Sequence, residues 1–295
     1  MMSDGKIPGS DAGQAAIYQN GTLSLLALDP NCQPGTTTAT SVNALGQAVG
    51  YCNRGTRVEE ALYFANGTVR ELRRPGPWQQ WGFLEPWAIN DAGEIYGGAY
   101  YWGQSSGPDL ARFFANGEPT EVFRPPVGYA LNVFLSNTGN FAYFDYVYPD
   151  QAYAAVGDGS KVRRLFPQQQ LASASLGINE DDYVVGYRYI TESKVKTFIH
   201  SPGGSTILVP FPPGITSMVP IGINDALQVV GTACGPNKCK IFLYSNGAIT
   251  DLDDSISPKG NYQVNSPFAG LSDKGAFLVW DSSQHNYAVV EPVKP

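Results

Sequence analysis

The sequence predicts an all-β protein built from repeats of one unit, and three observations lead to this prediction. The phrase GIN stands at residues 177–179 and again at 222–224, and related phrases recur along the chain. The phrases are followed by a short apolar run, and in three of the repeats by a hairpin of the form FANG or YSNG. A period of roughly 40–50 residues with β-type patterning is typical of β-propeller blades.

The repeated phrase is interpreted as structural, because an enzyme needs one catalytic constellation whereas a repeat fold needs its turn residues in every copy. Asparagine and the residue after it are suited to the tight turn between a first and a second strand. Alignment on the asparagine gives six positions, at intervals of 47, 47, 42, 45 and 48 residues by subtraction: Asn43, Asn90, Asn137, Asn179, Asn224 and Ser272.

The second half of each unit contains a hairpin. Asn-Gly stands between two apolar runs at residues 66–67, 116–117 and 246–247, and this predicts type I′ turns, in which both residues have φ > 0. Each unit therefore contains four short strands. Within the second strand a glycine recurs as Gly50, Gly97, Gly186 and Gly231, which indicates the close approach of another backbone.

We expect one domain over residues 1–295, with repeat units that begin near residues 39, 86, 133, 175, 220 and 268. Residues 4–28 contain one more hairpin, at Asn20-Gly21, but leave no room for an inner strand. The six inner strands predict six four-stranded blades, with the N-terminal strands completing the last blade and closing the ring. Seven blades is the alternative.

The phrase GINDALQVVG from Gly222 and the hairpin IFLYSNGAITDL from Ile241 resemble the HAF-type extracellular repeat family. The resemblance extends over residues 14–291. The chain departs from the family because it has no histidine at the start of the third strand. The residues near that position are Ala61, Ala111 and Lys240. The resemblance implies an exported bacterial β-propeller protein and brings no catalytic motif with it.

The four cysteines form two candidate disulfides, Cys32 with Cys52 and Cys234 with Cys239. Two disulfides fit an exported protein. Four buried thiols are the alternative, and zinc is disfavoured because neither pair has CxxC spacing. The first residues, MMSDGKIPGS, contain no signal peptide, and we expect a secreted or periplasmic protein from which the signal has been removed.

Composition excludes several classes of function. Charged residues are 15% of the chain, the formal net charge is −7 and no basic cluster occurs, so nucleic acid is not an expected partner. No run of about 18 apolar residues exists, so no membrane insertion is expected. Dinucleotide-binding, nucleophile-elbow and calcium-loop motifs are absent, and we predict neither a cofactor nor a metal site. We expect a monomer.

Aromatic residues are concentrated in the connections expected at one face of the propeller. The longest of these, residues 73–87, holds three of the five tryptophans. Such rings stack on sugars or on apolar ligands, although packing between blades is the alternative for the tyrosines. We predict a module that binds carbohydrate or another small molecule through Trp78, Trp81, Trp87, Glu85, Tyr101, Trp102, Tyr148 and Tyr187.

An enzyme acting at the same face, a polysaccharide lyase or glycoside hydrolase, is the second hypothesis, and a protein-binding scaffold is the third. The catalytic residues would be Asp145, Tyr146 and Arg188. Asp145 stands between aromatic residues at the end of an apolar strand, where burial would raise its pKa, although an aspartate there is more often a turn residue. His200 and His285 are expected at the surface.

Overall fold

The structure, a computed structural model, describes residues 6–55, 58–72, 81–101, 108–114, 119–123, 129–147, 151–168, 171–253, 255–257, 262–263, 270–282 and 286–291. These residues form strands and connections, and none of them lies in an α-helix. In this part of the chain there is accordingly no helix that could cross a membrane. The chain divides into two compact units, residues 1–139 with 145–150 and residues 140–144 with 151–295.

The first unit contains three antiparallel sheets, each with its strands in chain order, and a strand that follows them. The first sheet consists of β1 (Ile7–Asp11), β2 (Gln14–Gln19) and β3 (Thr22–Leu25). The second consists of β4 (Thr38–Val42), β5 (Ala48–Arg54), β6 (Val58–Ala65) and β7 (Thr68–Glu71). The third consists of β8 (Trp81–Ile89), β9 (Glu94–Tyr101), β10 (Asp109–Phe114) and β11 (Pro119–Phe123), and the strand after it is β12 (Tyr129–Leu135).

Strand β13 (Phe141–Val147) is divided between the units, and the later strands belong to the second unit. The hairpin of β14 (Gln151–Gly157) and β15 (Val162–Arg164) comes first. Two four-stranded groups follow: β16 (Ser173–Ile178), β17 (Val184–Thr191), β18 (Lys194–His200) and β19 (Thr206–Leu208), then β20 (Ser217–Ile223), β21 (Val229–Cys234), β22 (Cys239–Ser245) and β23 (Ala248–Asp251). The last sheet is β24 (Tyr262–Gln263), β25 (Phe277–Asp281) and β26 (Asn286–Val290).

Each unit has its own apolar core between neighbouring sheets. In the first unit, the second and third sheets pack through buried side chains that include Val49, Tyr63, Leu84, Ile95 and Phe113. In the second unit, the two four-stranded groups pack through Val185, Ile199, Met218, Val229 and Phe242. Removing these side chains from water stabilises each face-to-face arrangement.

The Asn-Gly hairpins are type I′ turns, as the sequence predicts. Asn66 and Gly67 have φ of 51° and 71°, and Asn246 and Gly247 have φ of 51° and 80°. The N-terminal hairpin at Asn20 has the same conformation, with φ of 50°. The pair at residues 116–117 lies outside the described residues. Asparagine and glycine tolerate positive φ better than other residues, so these dipeptides determine where the third strand turns into the fourth.

The repeated asparagine is a buried side chain that connects one repeat to the next. Asn224 Oδ1 accepts the N–H of Gln228 at 2.9 Å and so closes its own turn. Its amide donates to the carbonyl of Ser272, 48 residues further on, at 3.3 Å. The same two bonds are made by Asn43, Asn90 and Asn179. The phrase recurs because one amide side chain satisfies buried backbone groups in two repeats.

The residue after the asparagine adds a second bond between the same turns. The N–H of Glu180 donates to Oδ1 of Asp225 at 2.9 Å, and the N–H of Asp225 donates to Oδ1 of Asp273 at 3.2 Å. In the first unit the N–H of Ala44 donates to Oδ1 of Asp91 at 2.8 Å. In these three bonds the backbone N–H donates towards the later repeat. One bond runs the other way, from the amide of Asn137 to Oδ2 of Asp91 at 2.9 Å.

The sequence alignment is wrong by one residue in the third repeat. Ser136, and not Asn137, occupies the asparagine position, because its carbonyl accepts both the amide of Asn90 and the N–H of Gly139. Asn137 stands in the following column, where its Oδ1 accepts the N–H of Asp91 at 2.8 Å. Both residues are polar and adjacent, so the pattern of letters alone does not distinguish the two registers.

The recurring glycine of the second strand is required by a bulge in the first strand. The register of β20 shifts between Pro220 and Gly222, where Pro220 pairs with Gly231. A Cβ on Gly231 would lie 2.2 Å from the carbonyl oxygen of Val219. The equivalent glycines in the other repeats would clash in the same way with a backbone oxygen: Gly50, Gly97 and Gly186. The predicted close approach of another backbone is confirmed.

The N-terminal strands form the three-stranded sheet β1–β3, which packs on the second sheet through residues that include Ile17 and Val42. In the last repeat, Tyr262 pairs with Asp281 and Leu271 pairs with Phe277. Residues before position 264 and residues after position 269 therefore both lie beside β25. Completion of the last blade by the N-terminal strands stays a prediction.

Both predicted disulfides are formed. Cys32 bonds to Cys52 and so joins the segment after β3 to β5, with the two Cα atoms 5.7 Å apart. Cys234 bonds to Cys239 across the β21–β22 hairpin, with the Cα atoms 4.0 Å apart. The chain contains four cysteines, so no thiol is left over.

We expect Leu227→Gly to raise the free energy of unfolding by about 0.5–1 kcal/mol. The fourth residue of this turn has φ > 0 in all six copies, and Leu227 adopts φ of 55° where four other copies have glycine. The left-handed conformation costs an L-residue about 1–2 kcal/mol, and glycine avoids this cost. Part of the gain is offset because glycine also raises the conformational entropy of the unfolded chain. Urea unfolding measures the change. Leu227→Ala is the control, and equal stability of the two variants would contradict this account.

A graded loss is expected when Asn224 is replaced. Serine stands at the equivalent position of the last repeat, where Ser272 Oγ still accepts the N–H of Ala276 at 2.9 Å. Asn224→Ser should therefore keep the bond within the turn and lose the bond to the next repeat, at a cost of about 1–2 kcal/mol, whereas Asn224→Ala loses both and costs about 2–4 kcal/mol. Chemical denaturation of the two variants checks this order, and serine as harmful as alanine would refute it.

Candidate functional site

Several predicted ligand-binding residues lie outside the described part of the chain. Trp78, Trp102 and Tyr148 belong to undescribed segments, and Trp81 and Tyr101 lie in strands β8 and β9 with only their backbone described. Their role in binding stays a prediction. The described members of the set are Trp87, Glu85 and Tyr187.

Trp87 and Glu85 lie in β8 of the first unit. Trp87 is 7% exposed, and its ring covers Gly98, where a Cβ would come within 2.6 Å of Trp87 Cζ2. Glu85 is half-buried, and its Oε2 accepts the hydroxyl of Tyr100 at 3.1 Å. The ring of Trp87 therefore packs against Gly98 and is almost inaccessible to a ligand. For this reason Trp87 is not included in the proposed binding surface.

The catalytic residues of the enzyme hypothesis are distributed over the two units. Asp145, in β13, is 1% exposed, and Tyr146 beside it is half-buried; both belong to the first unit. Arg188 belongs to the second unit, where its guanidinium lies 4.7 Å from the centre of the Phe166 ring. Asp145 is thus buried in a strand and is not a residue of a surface turn.

A group of aromatic side chains lies at the end of β17 in the second unit. Tyr187 and Tyr189 point to the same side of the strand, both half-buried, with ring centres 6.1 Å apart in an edge-to-face arrangement. Burial raises the pKa of Tyr187, and the neighbouring Tyr189 adds to this shift. Arg188, between them in sequence, packs on Phe166, and burial lowers its pKa. The two tyrosines are neutral rings on a rigid strand.

A pocket of about 230 Å³ opens at the other end of β17. Its buried lining consists of three apolar residues, Phe141, Ile178 and Val184, and of His200. The ring of Phe141 lies against Gly157, where a Cβ would come within 2.3 Å of Phe141 Cζ. The polar lining comes from turns and strand ends of the third and fourth repeats: Asn140, Asp158, Lys161, Arg163, Asp182, His200 and Ser201.

His200 is buried, which corrects the expectation of a surface residue. It is 5% exposed, and its Nδ1 lies 2.8 Å from Thr206 Oγ1. Its Nε2 lies 3.4 Å from an Nη of Arg163. Burial lowers the pKa of His200, and the Arg163 charge lowers it further. Arginine only donates, so we assign the neutral ring with its proton on Nδ1, donated to Thr206.

The two carboxylates of this pocket accept hydrogen bonds from neighbouring protein groups. Asp158 Oδ1 accepts the N–H and the hydroxyl of Ser160 and the N–H of Lys161, and these bonds lower the pKa of Asp158. Asp182 Oδ2 accepts the amide of Asn140 at 2.8 Å. No group of three or more His, Cys, Asp or Glu side chains that could hold a metal ion occurs among the described residues.

This pocket was not predicted from the sequence, because its residues come from turns and strand ends that are far apart in the chain. Asn140 and Asp182 are 42 residues apart in the chain. One local signal was available: Arg163 and Arg164 are adjacent in a strand, so their side chains point to opposite faces. The buried position of His200 had no such signal.

No family model matches the chain, and no curated protein matches it. Among solved structures, an oligogalacturonate lyase from Vibrio parahaemolyticus is 10% identical with a TM-score of 0.65, over 97% of this chain and 85% of that one. A prolyl endopeptidase is 11% identical with a TM-score of 0.63, over 100% of this chain, which spans 50% of that protein's length. The β-propeller domain of the Trilobed protease from Pyrococcus furiosus is 13% identical with a TM-score of 0.55, over 88% of this chain and 83% of that one. The chain thus has the β-propeller fold, and likeness at these identities establishes the fold alone.

The free energy of unfolding should fall as the pH drops through about 6.5, the ordinary pKa of histidine. Because the folded-state pKa of His200 is depressed, the unfolded chain binds more protons below this pH, so acid favours unfolding until the folded state is protonated too. Urea unfolding between about pH 5 and pH 8 measures this slope. His200→Gln should flatten it and His285→Gln should keep it; an unchanged slope in His200→Gln would contradict the assignment.

Proposed function

We propose that this β-propeller is a binding module that takes carbohydrate through aromatic side chains at the ends of its second strands. The observation that carries the proposal is the pair Tyr187 and Tyr189, two half-buried rings 6.1 Å apart at the end of β17. A rigid strand holds them at little conformational cost, and tyrosine combines an apolar ring with a hydroxyl. Sugars present both apolar C–H faces and hydroxyls, which matches this chemistry. Trp78 and Trp81 are proposed as further contacts on the basis of the sequence.

The proposed location is outside the cytoplasm, in the periplasm or the medium. The two disulfides support this, because such bonds persist in oxidising compartments. The resemblance to the HAF-type repeat family supports export in the same way. The module is proposed to act without a cofactor and as a monomer.

The enzyme hypothesis would use Asp145, Tyr146 and Arg188. Carboxylate catalysis on a glycosidic bond needs two acidic groups at a set separation around the substrate. The charged residue between Tyr187 and Tyr189 on β17 is a base, Arg188, and it packs on Phe166. The two tyrosines with their arginine resemble a ligand platform more than an acid–base pair, and we therefore favour binding over catalysis.

A glycan-array screen of the purified protein tests the proposal. The tightest glycan is then titrated by calorimetry against Tyr187→Ala and Tyr189→Ala, and each variant should weaken binding by about tenfold or more, or about 1.4 kcal/mol. Tyr287→Ala is the matched control, since Tyr287 is an exposed tyrosine of the same unit that packs on Trp280. The control should bind as the wild type does.

Three other outcomes would overturn the proposal. Binding that is unchanged in both tyrosine variants would remove the site from β17. Release of shortened or unsaturated products from the bound glycan, followed by mass spectrometry, would establish the enzyme hypothesis instead. No binding to any glycan would favour the protein-binding scaffold.

A further inference from the structure

Two cationic side chains line the pocket, Arg163 of β15 and Lys161 just before that strand, whereas a further basic residue of β15 does not. Arg164 faces the other side of the strand, where its guanidinium lies 4.0 Å from the centre of the Tyr153 ring. Alternation along the strand explains this difference, because successive side chains point to opposite faces. Arg164 is therefore an internal control for the role of Arg163.

Arg163 has an unusual partner for an arginine at a pocket. Its hydrogen bond within the described residues goes to Nε2 of the neutral His200, and it forms no ion pair with any residue of that part of the chain. The two carboxylates of the pocket are used elsewhere: Asp158 holds its own turn and Asp182 accepts from Asn140. A guanidinium offers planar, paired N–H donors that match a carboxylate. Arg163 is exposed to solvent and has no carboxylate partner among the described residues, so its guanidinium can bind an anionic ligand at the rim of the pocket.

The rest of the pocket determines the kind of anion. The buried side chains of Phe141, Ile178 and Val184 are apolar and suit the C–H face of a ring. Asp182 and Asn140 also line the pocket. A carboxylate accepts hydrogen bonds and an amide both accepts and donates them, so the two side chains suit hydroxyl groups. The volume of about 230 Å³ is smaller than the roughly 300–1,000 Å³ of pockets for drug-sized ligands, so one ring fits.

We propose that this pocket binds a monosaccharide that carries a carboxylate, a sugar acid, with the carboxylate on Arg163 and the hydroxyls towards Asp182 and Asn140. Lys161 adds a weaker attraction at the rim, since its side chain is 77% exposed. The site does not depend on the function proposed above, because the tyrosine pair lies at the opposite end of β17. No covalent step is involved.

The first test uses the two histidines of the chain as reporters. Glucuronate is titrated into the labelled protein while the imidazole resonances are followed by NMR, and His200→Gln assigns them. The resonance of His200 should shift and saturate with a Kd of about 1 mM or tighter. Glucose, which lacks the carboxylate, and acetate, which lacks the ring, should each bind at least about tenfold more weakly, or about 1.4 kcal/mol.

The second test compares two adjacent arginines. Arg163→Gln should weaken glucuronate binding by about tenfold or more, because it removes a charge-assisted bond, and Arg164→Gln should leave the affinity unchanged. Lys161→Gln should weaken it by no more than about threefold. Denaturation midpoints of the three variants show whether they are folded. Should Arg163→Gln fail to fold, Asp182→Asn replaces it, and it should weaken glucuronate and leave acetate unchanged.

The proposal is overturned if glucuronate leaves the His200 resonance unmoved up to roughly 10 mM, or if Arg163→Gln and Arg164→Gln have equal effects. Glucose binding as tightly as glucuronate would refute the role of the carboxylate. Tyr187→Ala and Tyr189→Ala should not change the titration of His200, so failure at the tyrosine pair and failure at this pocket are measured separately.

Discussion

The fold depends on one buried amide, the asparagine that ends the first strand of most repeats. Its oxygen closes its own turn and its nitrogen reaches the carbonyl of the next turn, so the local bend and the contact between repeats are made by one side chain. The bulge, the glycine opposite it and the packed apolar faces all require the register that this residue fixes. Leaving such a group unpaired in the interior would cost about 1–3 kcal/mol per bond, which explains why only serine replaces it in the described turns.

Most of the fold was predictable, because its signals are local and repeated. The period, the Asn-Gly turns and the strand glycine each reflect a steric requirement of a few neighbouring residues, and all are confirmed where the structure describes them. The error in the third repeat has a different origin. Ser136 and Asn137 differ by one position, and only the hydrogen bonds to Asn90 and Asp91 show which of them belongs to which column.

The site was less predictable, because its residues are brought together by the stacking of repeats. The role of Tyr187, inferred from its place at a strand end, stays a prediction, and the burial of Trp87 depends on Gly98 in the neighbouring strand. His200 was expected at the surface because hairpins usually are, whereas Arg163, one of the side chains that contact it, comes from another repeat. The sequence shows which residues a connection contains, whereas their burial depends on the side chains of the neighbouring repeat.

At the four turns that carry the asparagine, its amide and the backbone N–H of the next residue both donate to the later repeat. These head-to-tail contacts are alike at the four junctions concerned, so one such copy can follow another. In evolutionary terms, the duplication or loss of a whole unit would leave each remaining junction chemically intact. The local contacts thus permit families of different repeat number to arise from one ancestral unit, with their number limited by how the array is terminated.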